Sequence, residues 1–574
     1  MYNTFREMVN AHIVLPNHWR ANARFSKVNS DGFLYRTASD LYSYYGDLGW
    51  YGAKTEVVGR FFGGSEKTGM GWDGVDYNTA YGINGADRRY NPAGEYTTTA
   101  ADGSDSTAYY PNQTDNYAQQ HAQLSVLHRF TPQWSLSATA HYTHGAGYYE
   151  QYKRKKLSYW GLPYSHKAYG MYRKQLDNHF FGGVVAAKYI SEPVDVQFGG
   201  AANYYMGDHF GTLHYLEDSL ILPINYEYYR NDAKKTDANI YAKANWRIIN
   251  RAQEQLSLYA DLQYRYVRYE RNGLNDEDMT DLPLEVNFHF FNPKAGLTYQ
   301  NRGHLLAASF AIANREPSRN NYKENVLYDA STGEYTGLPH AERLYDYELG
   351  YTYSHPRFAI GANLYFMDYD NQLVLTGEYN DVGAYKTKNV KDSYRMGAEL
   401  TAGVKITNWL RWDGNLVASR NKILNYHQYI DLYDDQDNWN WLGQDSVVGT
   451  TTIAFSPTIT ASSLFTFDVA GFTATVQTNV VSKQYLDNTE DENAMLRAYS
   501  TTNLNLQYQM PMQQWCKKDN APDLRLLCQI NNLFNAKYAN NGGAEASKFM
   551  DSSRCCWYYA QAGINVHAGF SVTF

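Results

Sequence analysis

The chain has 574 residues and a formal net charge of −8, with 51 basic and 59 acidic residues interspersed along it. This mild balance of interspersed charges does not resemble a nucleic-acid-binding face. The mean hydropathy is −0.59, and no run of about 18 apolar residues occurs, which excludes a membrane-spanning helix.

The composition favours a membrane β-barrel over an aromatic-rich soluble β protein such as a sugar-binding module. The chain contains 55 Tyr and 43 Gly but only 15 Pro and 4 Cys. Tyr suits both the girdles at the membrane interfaces and the wet outer loops of such a barrel. The low mean hydropathy is compatible with it, because polar lumen residues alternate with apolar lipid-facing ones.

Period-2 alternation predicts an all-β chain of 21 strands. In the last one, residues 560–574, even-numbered residues from Ala560 to Phe574 are mostly apolar and odd-numbered ones mostly small or polar. Such runs exceed the ordinary strand of about 5–6 residues and suit a tilted bilayer crossing of about 9–11. The predicted strands are 2–15, 18–29, 41–51, 54–65, 115–130, 134–149, 178–190, 194–206, 234–248, 255–271, 286–300, 304–314, 342–353, 357–370, 384–406, 409–424, 448–468, 472–485, 497–510, 523–536 and 557–574.

Short and long connections alternate, which orients the predicted barrel. Outer-membrane barrels have short periplasmic turns and long extracellular loops. The short turns contain Pro, Gly or Asn and fall near residues 15–17, 52–54, 131–133, 191–193, 301–303, 354–356, 407–408 and 469–471. The long segments are 66–114, 150–177, 207–233, 315–339 and 425–447.

The strand count and the N-terminus predict an incomplete barrel. Single-chain bacterial barrels have an even number of strands, and here the first and last strands both run toward the periplasmic side. We therefore expect 21 strands of a 22-strand barrel, occupying residues 1–574 as one domain and lacking the first strand. The first residues have no basic, apolar and small-residue segments in the order of a signal peptide, so we expect a mature or truncated segment.

Several motifs resemble TonB-dependent outer-membrane receptors of the Bacteroidetes type. Each is weak alone, but their order along almost the whole chain is specific. They are Phe25-Ser26-Lys27 with Ser30-Asp31-Gly32, residues 141–150 (HYTHGAGYYE), 291–296 (FNPKAG), 313–319 (ANREPSR), Glu342-Arg343 with 347–351 (YELGY), and 531–538 (NNLFNAKY).

The resemblance implies location in the outer membrane of a Gram-negative bacterium, in contact with lipid and lipopolysaccharide. It implies that outer loops capture a scarce large solute, such as a siderophore–iron complex, cobalamin or haem. The periplasmic TonB complex then pulls on an N-terminal plug domain to open a path. No plug is recognisable in this chain, so we expect it to be missing along with the first strand. The terminal Phe574 is similar to the aromatic end that the barrel-assembly machinery recognises, although it also suits a lipid-facing girdle position.

Candidate ligand-binding residues are aromatic or cationic and lie in predicted outer loops. Residues 148–156 combine tyrosines with four consecutive cations, which suits an anionic iron chelate or the phosphate-rich cell surface. A solvated loop facing lipopolysaccharide is an equal alternative. The predicted set is Tyr148, Tyr149, Tyr152, Arg154, Tyr159, Trp160, Trp439 and Trp441.

Arg315, Glu316, Arg319 and Asn320 follow an upward strand. We expect them to line the lumen wall and hold the plug by ion pairs rather than to touch the solute.

No cofactor or metal site is predicted. Asp431, Asp434, Asp435 and Asp437 cluster, but they lack EF-hand spacing and favour a plain acidic loop over a Ca²⁺ site. His144, His340 and His427 are possible axial haem ligands without being diagnostic. Among the cysteines, Cys516 and Cys528 lie in a late hairpin, and the adjacent Cys555 and Cys556 favour unpaired thiols over a vicinal disulfide.

The leading hypothesis is an energy-coupled importer. A passive porin or plugless pore is the alternative, and an adhesin or enzyme is a third. The sequence contains no GxSxG, HExxH or Walker pattern, and isolated pairs such as His144 with Glu150 are usually solvated loop residues, so we predict no enzymatic activity.

Overall fold

The computed structural model describes residues 1–99, 102–276, 279–379, 385–435, 439–516 and 521–574. Thirty strands and three short α-helices lie in these ranges. Among the described residues, no helix combines the length and the apolar content that a membrane crossing needs.

The strands are β1 (Phe5–Leu15), β2 (Trp19–Ser30), β3 (Ser39–Tyr51), β4 (Thr55–Gly69), β5 (Glu95–Thr99), β6 (Asp105–Tyr109), β7 (Thr114–Arg129), β8 (Trp134–Lys156), β9 (Lys167–Ile190), β10 (Val194–Leu216), β11 (Tyr226–Arg251), β12 (Glu254–Gly273), β13 (Leu284–Asn301), β14 (His304–Arg315), β15 (Leu327–Asp329), β16 (Glu334–Thr336), β17 (Glu342–His355), β18 (Phe358–Tyr379), β19 (Tyr385–Lys405), β20 (Leu410–Tyr433), β21 (Trp441–Thr452), β22 (Ile459–Val469), β23 (Phe472–Val481), β24 (Gln484–Tyr485), β25 (Met495–Leu496), β26 (Tyr499–Met510), β27 (Asp523–Asn531), β28 (Ala539–Phe549), β29 (Arg554–Ala560) and β30 (Asn565–Thr573). The helices are α1 (Tyr77–Tyr81), α2 (Arg319–Asn325) and α3 (Met512–Cys516).

One sheet of 24 strands forms the body of the molecule. Successive strands pair antiparallel from β1 through β4, β7 to β14, β17 to β20, β22, β23, β26, β27 and β30. When β21 and β22 are taken as one interrupted crossing, and β28 and β29 as an extension above the barrel, the sheet has the 21 predicted crossings. The predicted all-β antiparallel barrel is confirmed.

The strands on the extracellular side are longer than predicted, and the long segments are correspondingly shorter. β8 and β9 stay paired up to Lys156 and Lys167, and β10 pairs with β11 up to Leu213 and Tyr226. The sequence pattern failed there because both faces of a strand carry polar and aromatic residues above the membrane. Backbone ladder hydrogen bonds do not depend on that alternation, so the hairpins continue.

Three predicted strands, 448–468, 472–485 and 557–574, are interrupted in the structure. β20 pairs with β21 in its upper part and with β22 in its lower part. Between them, the Ala454 backbone N–H donates to Asn488 and the Phe455 N–H donates to the Tyr485 carbonyl. These long-range bonds pull the backbone out of the ladder.

The break before β30 has a similar cause. The Gln561 backbone N–H donates to the Tyr538 carbonyl, and the Ile564 N–H donates to the Asn535 side chain. The last alternating run is therefore divided between β29, which pairs with β28, and β30, which pairs with β27.

The first and last strands come together without pairing. In the described part of the chain, β1 is paired only with β2 and β30 only with β27. Above them, the α-amino group of Met1 donates to the Val566 carbonyl oxygen at 3.1 Å. The sheet thus curls until its ends meet at the extracellular side.

Packed loops form apolar cores above the sheet. Ala80 and Tyr81 of α1 pack with Leu486, Leu496 and Tyr558. A second core contains Leu157, Trp160, Tyr172, Leu213, Tyr228 and Tyr229, and is called here the mouth cluster. These cores join segments far apart in sequence and fix the extracellular end of the barrel.

Candidate functional site

The two faces of the barrel wall differ in chemistry. Phe61, Leu124, Phe181, Leu262 and Phe291 are large apolar side chains with about half of their surface exposed. At neighbouring positions of these strands, polar side chains form hydrogen bonds across the opposite face, such as Arg60 with Ser125 and Asn292 with Gln263. An apolar outer face with a polar face toward the lumen is the arrangement typical of outer-membrane barrels.

The aromatic and cationic residues predicted on β8 are divided between these faces. Strand alternation places Tyr148, Tyr152 and Arg154 on the outward side and Tyr149 on the lumen side. The Tyr152 ring stacks on Tyr169 with centroids 5.2 Å apart, and its hydroxyl donates to Glu217 at 3.2 Å. Arg154 is exposed. A single ligand inside the lumen therefore cannot contact the whole predicted set.

Tyr159 and Trp160 belong to the mouth cluster. Trp160 is fully buried, in a T-shaped contact with Tyr172 whose centroids are 5.9 Å apart. Tyr159 is half-buried, and the Lys155 ammonium lies 4.7 Å from its ring centroid. Trp160 is therefore a packing residue of the mouth cluster, whereas part of the Tyr159 side chain is exposed to solvent.

Trp439 and Trp441 lie apart from this cluster, beside the β20–β21 hairpin. Trp439 packs edge-on against Phe549 at 5.0 Å, and Trp441 remains 61% exposed. The Trp441 indole N–H donates to Asp431 at 3.3 Å, so its ring is oriented while its face stays open. Asp434 is tied to Asn440 of the same loop, and Asp437 lies outside the described residues.

Glu316 is the centre of an ion-pair network on the lumen wall. It accepts hydrogen bonds from the Lys235 ammonium at 2.6 Å and from both terminal nitrogens of Arg265 at 2.8 Å. Arg265 also pairs with Asp237 on β11. Burial would raise the pKa of Glu316, but the hydrogen bonds from Arg265 and Lys235 outweigh burial and lower that pKa to about 2. The carboxylate is therefore engaged by barrel residues.

The other predicted plug-facing residues are also tied to the barrel or its loops, except Asn320. Arg315, whose side chain is exposed, pairs at 3.1 Å with Glu342, whose side chain is largely enclosed. Arg319 donates to Asn231 on β11, and Asn320 is exposed in the first turn of α2.

A buried clamp next to the mouth cluster was not predicted. Asp276, between β12 and β13, accepts from Lys174 of β9 and Lys323 of α2 at 2.7 Å each. Burial would raise the pKa of Asp276, but the two ammonium groups outweigh burial and hold that pKa well below its usual range. The clamp fastens two outer loops to the wall, and no local sequence pattern could have paired these residues.

A polar and aromatic recess on the lumen wall was also missed. His121, His141, Phe180 and Tyr205 line it, and its volume is about 580 Å³. His121 stacks on Phe62 with centroids 4.5 Å apart, and His141 bonds to Asn203 at 2.9 Å. Two imidazoles and a phenol facing open lumen can contact a ligand or a domain seated there. Their only sequence signal was their position on the polar face of alternating strands.

The remaining predicted residues have simple surroundings. Phe574 is fully exposed at the end of β30. Cys528, Cys555 and Cys556 are free thiols, and burial raises the pKa of Cys556 to about 12. The side chain of Cys516 lies outside the described residues.

The family model "TonB dependent receptor-like, beta-barrel" matches residues 60–533. The chain belongs to this family. Members of the TonB-dependent receptor family are receptors and transporters, in keeping with the lumen and packed mouth described above.

Solved structures of TonB-dependent receptors share the fold. The closed form of the ferric-catecholate import receptor Fiu from E. coli K12 is 13% identical, with a TM-score of 0.65 over 99% of this chain and 80% of that one. The siderophore receptor PiuA from Acinetobacter baumannii is 13% identical, with a TM-score of 0.67 over 100% and 80%. The unliganded ferric citrate transporter FecA is 11% identical, with a TM-score of 0.69 over 100% and 76%.

At these identities the likeness establishes the fold alone. No curated protein matches the chain at a significant level.

Proposed function

We propose that this chain forms the barrel of an outer-membrane receptor that imports a scarce, large solute with energy supplied through TonB. Membership of the TonB-dependent receptor family over residues 60–533 carries this proposal. Among siderophore–iron complexes, cobalamin and haem, we favour siderophore–iron. Three of the similar structures are of a ferric-catecholate import receptor, a siderophore receptor and a ferric citrate transporter, and another is of a copper transporter.

The barrel supplies binding and a path, with no chemical step. Outer-loop residues such as Tyr159 and Trp441 offer aromatic surface to the solute, and exposed Arg154 offers charge to an anionic chelate. The lumen recess that contains His121 and His141 faces either the solute or a plug domain. A plug in the lumen would couple the barrel to TonB, and Glu316 with its two cationic partners would form part of the wall against which it moves.

The exposed Phe574 is the proposed recognition point for the barrel-assembly machinery. The apolar outer face is the proposed contact with lipid and lipopolysaccharide.

Uptake by cells that express the intact gene tests this function. Radiolabelled iron would be supplied as catecholate, hydroxamate or citrate chelates, with labelled cobalamin and haem as competing candidates. An energy-coupled receptor accumulates one class of solute, and an uncoupler of the proton gradient or loss of TonB abolishes the accumulation. Uptake of small solutes that is unaffected by the uncoupler, with a large constant conductance in planar bilayers, would instead identify a passive pore.

A further inference from the structure

Two histidines and an aspartate meet on the outer face of the barrel, away from the lumen. The His144 Nε2 atom of β8 lies 2.8 Å from Asp177 Oδ1 of β9, and His179 Nε2 lies 3.8 Å from the same oxygen. The imidazole rings are directly opposite in the ladder and stack with centroids 4.8 Å apart. One ligand atom of each residue lies within 4.8 Å of the others.

These distances are close to what a tetrahedral transition-metal ion requires. Zn–N and Zn–O bonds of about 2.0–2.1 Å place neighbouring ligand atoms roughly 3.3 Å apart. The two separations from Asp177 bracket that value, and no two of the three ligand atoms are more than 4.8 Å apart, so side-chain rotation has to close at most about 1.5 Å. Each side chain is between one third and about half exposed, which leaves room for an ion and for solvent in its open positions.

The site has a supporting hydrogen bond of the kind that metal-binding histidines use. The Tyr142 hydroxyl lies 2.8 Å from His179 Nδ1. With the proton of His179 on Nδ1, that nitrogen donates to the Tyr142 oxygen and Nε2 keeps its lone pair toward Asp177. Such outer bonds fix the ring and the tautomer of a metal ligand.

The height of the site fits the edge of the membrane. His144 lies about ten residues along β8 from Trp134, which corresponds to roughly 26 Å of height at about 3.4 Å per residue and a tilt of about 40°. The apolar band of an outer-membrane barrel is about 25 Å tall. Tyr142 and Phe181, one step below on the same strands, are outward-facing aromatic residues of the kind found at that edge. The three polar residues therefore lie at the level of the headgroups.

We propose that His144, Asp177 and His179 bind a divalent transition-metal ion of the Zn²⁺ class on the outer surface of the barrel. Two imidazoles with one carboxylate favour Zn²⁺, Ni²⁺ or Cu²⁺ over Ca²⁺ and Mg²⁺, which prefer oxygen ligands. A bound ion would link β8 to β9 where the hairpin leaves the membrane. The site does not depend on the imported solute, because its side chains point away from the lumen.

The chain offers a matched control. His289 on β13 is also exposed, and its Nδ1 lies 2.7 Å from the Tyr264 hydroxyl. Among the described residues, only His144, Asp177 and His179 form a three-residue group with metal-ligand spacing. His289→Gln therefore removes an outward Tyr–His pair without touching the proposed site.

The test uses the purified full chain, free of affinity-tag histidines, in detergent micelles. Calorimetry measures Zn²⁺ binding, and the unfolding temperature is measured with and without Zn²⁺. We expect a site that is lost in His144→Ala/Asp177→Asn and weakened about tenfold in Tyr142→Phe, and that is unchanged in His289→Gln. Zn²⁺ should raise the unfolding temperature of the wild type and of His289→Gln, but not of the double variant. A difference in gel migration between unheated and heated samples confirms that each barrel is folded.

Equal Zn²⁺ affinity in the wild type and the double variant would overturn the proposal. Displacement of Zn²⁺ by an equal concentration of Ca²⁺ would overturn the assignment to a transition metal.

Discussion

Arg265 binds Glu316 with both of its terminal nitrogens, each 2.8 Å from a carboxylate oxygen. Arg265 lies on β12 and Glu316 directly follows β14, so this pair ties the start of the 316–341 loop to the lumen wall. Lys235 adds a third hydrogen bond to the same carboxylate. The pair is nearly enclosed, since the Glu316 side chain is only 9% exposed.

Glu316→Gln should release this loop. The substitution removes the charge that Arg265 and Lys235 share, which should cost about 3 kcal/mol in the free energy of unfolding, because a nearly buried charge pair loses its partner. Urea titration in detergent, followed by tryptophan fluorescence, measures the change. Arg315→Gln is the control, because the Arg315 side chain is 59% exposed and Glu342 keeps its hydrogen bond from the Leu373 backbone N–H, so the loss should be below about 1 kcal/mol. Equal losses in the two variants would contradict a special role for Glu316.

Acid should detach the same loop. The folded pKa of Glu316, about 2, lies below its ordinary value of 4.5. A lowered pKa stabilises the fold above the unfolded value, and this contribution is lost as the pH falls from about 4.5 to about 2. Hydrogen exchange in residues 316–341, corrected for its intrinsic pH dependence, should therefore be constant from pH 7 to 5 and rise below that. In Glu316→Gln this rise should be smaller, and the part that remains should come from protonation of Asp276, which binds Lys323 of the same loop.

Arg554→Met should destabilise the loop before β26. The Arg554 side chain is fully buried and pairs with Asp487, itself 1% exposed, at 2.7 Å. Removing the cation leaves a buried carboxylate, at a cost of about 3–5 kcal/mol. Proteolysis of residues 482–498 in the folded barrel reports the loss. Lys483→Met in the same loop breaks the exposed pair with Glu492 and the cation–π contact with Tyr485, and should leave the cleavage rate within about twofold.

Trp441→Ala should affect solute recognition, whereas Trp160→Ala should affect the packing of the mouth cluster. Trp441 is mostly exposed, so its removal should leave stability nearly unchanged and weaken chelate uptake about three- to tenfold, as expected for the loss of one aromatic contact. Trp160 is fully buried, so its removal should cost about 3–5 kcal/mol through a cavity in the mouth cluster. Binding and unfolding measured side by side distinguish the two. Unchanged uptake in Trp441→Ala would remove that residue from the proposed ligand surface.

The sequence by itself determined the barrel, its 21 crossings and the side on which the loops lie. These properties follow from a local pattern, since side chains alternate across a strand and short turns carry Pro, Gly or Asn. The same alternation decides that Tyr148 and Tyr149 point to opposite faces. The TonB-dependent receptor family was also recognisable from motifs spread along the chain.

Only the tertiary structure decided which distant residues meet. The strand breaks at 453–458 and 561–564 arise from hydrogen bonds to other loops. Glu316 contacts Arg265 because β12, which contains Arg265, and β14, which precedes Glu316, lie on either side of β13. The burial of Trp160 and the meeting of His144 with His179 depend in the same way on packing and on ladder register. A period-2 pattern specifies which face a side chain takes, but its partner is fixed by the curl of the sheet and the packing of loops above it.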